Sequence, residues 1–158
     1  MDSPSSTGYG GELGLKLTVG PLMIQGNGHY SQNMGHQFMQ LVQIASGEND
    51  IAGFGFWGQA GFEMPSGLGI YAFFGMEDPD DEDVLAGIPI SPAGTMPPQA
   101  AGTLPRLLNI QAAGMIRYKV GQFQIGLEYL FDQLTFQDLM GEADVSANQV
   151  SLSGWYGF

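Results

Sequence analysis

Two neighbouring stretches of this chain alternate between an apolar row and a mainly polar one. Over residues 107–120, Leu108, Ile110, Ala112, Ile116, Tyr118 and Val120 form one row. Asn109, Gln111, Met115, Arg117 and Lys119 form the other. Gly121 marks a turn, and residues 122–132 set Phe123, Ile125, Leu127, Tyr129 and Phe131 against Gln122, Gln124, Glu128 and Asp132. A period of two is that of a β-strand, whose successive side chains point to opposite faces. Every charge in both stretches falls on the row opposite the apolar one. Such a hairpin needs an apolar medium on one side and a polar one on the other.

The same grammar recurs along the chain. Residues 12–19 set Leu13, Leu15, Leu17 and Val19 against Glu12, Gly14, Lys16 and Thr18, and Gly20-Pro21 is a turn signal. In residues 22–31, Leu22, Ile24 and Tyr30 oppose Met23, Gln25, Asn27, His29 and Ser31. Residues 51–63 place Ala52, Phe54, Phe56, Ala60 and Phe62 opposite Gly53, Gly55, Trp57, Gln59, Gly61 and Glu63. After Met64-Pro65-Ser66-Gly67, residues 68–76 place Leu68, Ile70, Ala72 and Phe74 opposite Gly69, Tyr71, Phe73 and Gly75. The last nine residues, from Val150 to Phe158, alternate again. That makes about seven strands of about 9–14 residues, where a tilted strand needs ~9–11 to cross a bilayer. The expected fold is all-β: an antiparallel β-barrel that spans a membrane, in a single domain over residues 1–158.

Composition narrows the functions. Four Lys and Arg stand against 16 Asp and Glu, for a net charge of −12, which argues against a nucleic-acid partner because phosphate binding needs basic residues. Cys is absent, so there is no disulfide framework and no thiolate metal site. No run of the chain reaches the ~20 apolar residues of a spanning helix. Residues 1–7 carry neither a basic n-region nor an apolar h-region of a signal peptide. An exported protein needs such a leader, so the expectation is a processed chain or the C-terminal part of a longer one. Twelve of the 16 acids fall in stretches read as loops, among them Glu77 to Asp83, Asp138, Glu142 and Asp144.

The stretch Val150-Ser151-Leu152-Ser153-Gly154-Trp155-Tyr156-Gly157-Phe158 resembles the closing strand of a bacterial outer-membrane β-barrel. Gly26-Asn27-Gly28-His29-Tyr30, Gly53 to Phe62 and Ile125-Gly126-Leu127-Glu128-Tyr129 look like the C-terminal part of proteobacterial porins. The resemblance implies a passive channel for small solutes in the bacterial outer membrane. Outer-membrane lipid and the barrel-assembly machinery would be its partners, with other porin protomers as further candidates, and no cofactor is implied. Tyr156 and Phe158 would be the assembly signal.

Connection lengths suit that resemblance. Those near 20–21, 64–67 and 121 are short, and those at 32–50, 77–106 and 133–147 are long, as in barrels with short periplasmic turns and long outer loops. Residues 77–106 form an expected acidic and Pro-rich extracellular loop. Residues 36–45 have the apolar spacing of a short loop helix. An odd count of seven departs from the even counts of single-chain bacterial barrels. The expectation is that the chain forms part of a larger barrel; the alternative is a complete eight-stranded barrel with a structural or adhesive role. A soluble β-barrel binding a lipid inside is a third reading, with the apolar row turned inward.

Several constellations invite chemistry. Glu12, Lys16, Glu63, Arg117, Lys119, Glu128 and Asp132 share the polar row and are candidates to face a lumen, where charge sets ion selectivity. In a small plugged barrel they would pair with one another instead. Glu77 to Asp83 lacks EF-hand spacing, leaving weak divalent-cation binding or a solvated loop. Gly53-Phe54-Gly55-Phe56-Trp57-Gly58 matches the dinucleotide pattern formally, but the strand register runs straight through it and no helix follows. His29 and Ser31 share a row, as in outer-membrane phospholipases, with Asn33 or Asn49 to orient the imidazole. Their row is the polar one, whereas that enzyme's site faces lipid, so the expected protein is not an enzyme.

Overall fold

The computed structural model describes residues 7–34, 45–46, 49–86, 105–138 and 141–157. Seven long strands dominate it: β1 (Tyr9–Val19), β2 (Leu22–Gln32), β5 (Ala52–Glu63), β6 (Leu68–Pro79), β7 (Arg106–Val120), β8 (Phe123–Asp138) and β9 (Gly141–Tyr156). Two short strands, β3 (Ala45–Ser46) and β4 (Asn49–Asp50), pair with each other, and one helical turn, α1, spans Asp81–Ala86. The long strands form one antiparallel sheet in the order β1-β2-β5-β6-β7-β8-β9. The expected all-β antiparallel architecture is therefore present. The sheet is not closed: β1 and β9 are its two edges.

Register explains why the alternation was so regular. Val19, Leu22, Phe62, Ile70, Ile116, Leu127 and Leu152 are paired in succession across all seven strands. The next row away from the short turns runs Leu17, Ile24, Ala60, Ala72, Gly114, Tyr129 and Val150. All the large side chains of both rows are exposed. On the opposite face of the central strands, Gly53, Gly55, Gly61, Gly69, Tyr71 and Gly75 are buried. We call the exposed apolar side the outer face and the opposite side the inner face.

The turns are steeply staggered. Val19 adjoins the Gly20-Pro21 turn, whereas Val120 lies four residues beyond Ile116, its strand's member of the same row. A sheet whose strands tilt requires such a stagger. Gly20 and Gly121 have φ of 57° and 58°, the sense that two-residue hairpin turns demand and that glycine adopts without strain.

Three stretches differ from expectation. Residues 133–147 do not form a long loop: β8 and β9 stay paired from Phe123↔Tyr156 to Asp138↔Gly141. The outer row becomes polar there (Gln133, Thr135 and Gln137), so the apolar signal stops while backbone pairing continues. Thr135 faces Asp144 and its hydroxyl donates to that carboxylate at 2.6 Å. Likewise β6 runs on to Pro79, taking Glu77 and Asp78 out of the expected 77–106 loop. Glu77, Asp78, Asp138, Glu142 and Asp144 thus lie on strands, not in loops. The third is the remainder of the acidic run, in which Asp81, Glu82 and Asp83 open α1. The Asp80 carboxylate accepts from the Asp83 amide at 3.1 Å, and the Val84 amide donates to the Asp80 carbonyl at 3.0 Å. Asp80 is a helix N-cap, and Asp81, Glu82 and Asp83 occupy the turn where the helix dipole favours negative charge.

The only hydrophobic cluster among the described residues sits under this helix. Ile51, Val84 and Leu107 are 2%, 1% and 3% exposed, and Leu85 packs against them. Asn33 anchors the same end. With φ of 57°, it donates to the Thr7 carbonyl at 3.2 Å and to Asp50 at 2.5 Å, and it accepts from the Ile51 amide at 2.9 Å. The expected helix over 36–45 falls outside the described residues except for Ala45, which is in β3. Of the Pro-rich stretch, only Pro105 is described, its carbonyl accepting from the Gln137 amide at 2.9 Å.

Candidate functional site

The inner face includes three cross-strand rows that carry charged groups. Nearest the short turns, Glu63, Gly69, Arg117, Gly126 and Ser153 are paired in sequence. Further along come Gly14, Asn27, Trp57, Gly75, Gln111 and Asp132. Beyond these lie Glu12, His29, Gly55, Glu77 and Asn109. Glycines recur between larger groups, and each leaves room for a neighbour to lean across.

Glu63 and Arg117 meet over Gly69. The Arg117 guanidinium donates to Glu63 Oε1 at 2.5 Å, and the Tyr71 hydroxyl donates to the same oxygen at 2.5 Å. The guanidinium carbon also lies 4.9 Å from the centre of the Tyr71 ring, within cation–π range. A β-carbon at Gly69 would fall 2.8 Å from the ring, and one at Gly61 2.5 Å. Glycine on both flanking positions is what allows Tyr71 to lie flat against the sheet.

At the other end, His29 Nε2 stands 3.6 Å from Glu77 Oε2 across Gly55, whose β-carbon would meet both side chains at 2.6–2.8 Å. Between these ends Trp57 and Phe73 stack, ring centres 6.3 Å apart and planes at 26°. Gln25 donates to Gln59 at 2.9 Å beside them, and Asn109 donates to Asp132 at 3.1 Å.

All seven charged candidates stand on the inner register. Glu63 and Arg117 are brought together, Asp132 takes Asn109, and Glu12 accepts from Asn27. Lys16 lies opposite Gln25, Lys119 opposite Gln124, and Glu128 between Met115 and Ser151. Lys16 and Glu128 are on strands that are not neighbours. Of the assembly pair, Tyr156 closes β9, packing on Phe123 with ring centres 4.8 Å apart and donating to Gln122 at 2.8 Å. Phe158 falls outside the described residues.

Ser31 follows His29 on the inner register and is fully buried. Asn33 is committed to Thr7, Asp50 and Ile51, so it does not orient the imidazole. Glu77 is what faces His29, and sequence reading missed it by placing it in a loop. Its signal was available: the parity of Tyr71, Phe73 and Gly75 continues to 77.

Outside the strands, Asp81 titrates abnormally. Burial, and then the carboxylates of Asp78, Glu142 and Asp80, push its pKa above the ordinary range. The arrangement as a whole offers a polar, glycine-lined surface with aromatic platforms, backed by an apolar exterior. Comparison with family models, with curated proteins and with solved structures returned no match.

Proposed function

We propose that this chain forms the wall of a porin-type channel in a bacterial outer membrane, through which small solutes diffuse passively. The observation that carries the reading is the apolar row Val19, Leu22, Phe62, Ile70, Ile116, Leu127 and Leu152, unbroken across seven strands and exposed. In water such a face would bind another apolar surface; in lipid it is the expected exterior. A soluble lipid-binding barrel would need that row turned inward, away from water.

Strand direction supports a larger barrel. In an antiparallel sheet of seven strands the first and last point the same way. Joining β1 to β9 would require a parallel pair, and so would joining either edge to that of a second copy inserted in the same orientation. An odd number of additional strands restores antiparallel pairing throughout and gives the even total of single-chain bacterial barrels. One added strand yields a small eight-stranded barrel, the second reading, in which inner-face charges would pair as Arg117 and Glu63 do. Outer-membrane lipid and the barrel-assembly machinery are the partners this function requires, and other protomers are further candidates.

Planar-bilayer recording on the detergent-purified protein tests the reading. Discrete conductance steps support the channel. A detergent-folded, silent protein points to the small closed barrel, and a chain soluble without detergent sinks both.

A further inference from the structure

Between β5, β6 and β7 the inner face holds a cleft of about 360 Å³, within the size range of small-molecule sites. Gly75 forms its floor, because it is the residue paired between Trp57 and Gln111 and has no side chain to fill the gap. Phe73 and Glu77, two residues to either side on β6, bound the cleft along the strand, and Asn109 flanks Gln111. The stacked Trp57 and Phe73 rings supply an aromatic wall. Neither Lys nor Arg lines the cleft. Glu77 Oε2 is shielded from solvent, stands 3.6 Å from His29 Nε2 and accepts no hydrogen bond among the described residues.

These features select for charge. The faces of indole and phenyl rings attract cations, more strongly when water is excluded. A shielded carboxylate that no Lys or Arg faces is costly unless a cation compensates its charge. An anion would meet Glu77 and the field of a chain carrying net charge −12. A neutral polyol would satisfy the amides of Asn109 and Gln111 but leave the carboxylate uncompensated. We propose that this cleft binds an organic cation with an apolar or aromatic body, its charge set between the Trp57–Phe73 wall and Glu77. The inference rests on the channel reading for the route by which such a solute reaches the inner face.

Tryptophan fluorescence provides a direct test. The chain has two tryptophans, so a Trp155→Phe background leaves Trp57 as the sole reporter. In the full-length protein folded in detergent at pH 8, benzyltrimethylammonium should quench Trp57 saturably. Benzyl alcohol, benzoate and glucose should not. Glu77→Gln, which keeps the side chain's size, should weaken binding roughly tenfold. If that variant does not fold, Phe73→Leu replaces it, with an expected loss of roughly threefold from the missing π face. No saturable quenching by the cation, equal binding of any comparator, or unchanged affinity in the folded variant overturns the proposal. Conductance steps without quenching would refute the cleft and spare the channel; quenching without conductance would do the reverse.

Discussion

Tyr71 lies across Gly61, the residue paired with it on β5, so closely that a β-carbon at Gly61 would stand 2.5 Å from the ring. The ring and the missing side chain are a fitted pair. Gly61→Ala should therefore displace the ring and disturb its hydrogen bond to Glu63. Overpacking of this kind costs about 1–3 kcal/mol. Under the channel reading, urea unfolding from lipid vesicles measures it, and an unchanged midpoint would mean that the ring moves aside freely.

The Glu63–Arg117 pair should matter far less. Its bond is short, but Glu63 is 61% exposed in its side chain, and solvent-exposed ion pairs contribute about 0–1 kcal/mol. Glu63→Gln should lower stability by no more than that in the same assay. A loss above about 2 kcal/mol would place the pair in a much drier setting than its exposure indicates.

Met115 and Ile116 are adjacent but face opposite sides. Under the channel reading, Ile116→Arg should impair folding into vesicles by roughly 2–4 kcal/mol, the cost of a basic residue facing lipid. Met115→Arg, on the inner register, should fold normally. Equal effects from the two substitutions would show that the faces are not distinguished by lipid.

Helix α1 depends on its cap. Asp80→Ala removes the acceptor for the Asp83 amide and should cost about 0.5–2 kcal/mol of local stability. Amide exchange at Val84, whose N–H is held by the Asp80 carbonyl, reads this out without needing the whole sheet to unfold.

The same helix should respond to pH. Asp81 has its pKa raised by burial and by neighbouring carboxylates, so its folded state binds a proton more tightly than its unfolded state. Stability contributed at this position therefore rises as pH falls through the raised pKa toward the ordinary value near ~3.9. Val84 should exchange more slowly near pH 4, close to the ordinary Asp value, than at pH 7 once intrinsic exchange rates are corrected for. Asp81→Asn should flatten that difference; if it does not, other acids of the cluster carry the effect.

How much of this was legible in the sequence depended on whether a residue's environment leaves a trace in its type. The outer apolar band is legible because every second residue must be apolar, and each segment read from that alternation overlaps one observed strand, with Ile51, Gln122 and Gly157 falling just outside. Thr135 and Asp144 are paired strand residues with no apolar requirement, so their stretch looked like a loop. Asp80 and Asp83 were read as charge density, although an acid followed by another three residues on is also the pattern of a helix cap. The inner charged residues were placed on the right register, but their partners were not. That Arg117 reaches Glu63 rather than Glu128 depends on strand order and on the gap left by Gly69, which no local pattern encodes. Tyr71 was noted only as an inward aromatic; its seat between Gly61 and Gly69 needs the cross-strand register to be seen.

The strand order carries a consequence for how the molecule is made. In the main sheet, every strand bonds only to the long strand before it and the long strand after it. No pairing waits for a distant part of the chain, so each new strand can be added to an edge already formed, at the entropy of closing one connection. Of these, the Gly20-Pro21 and Gly121-Gln122 turns are only two residues long. The sheet can thus grow hairpin by hairpin, in the direction of synthesis or against it, and a half-finished sheet presents the same kind of template as a finished one.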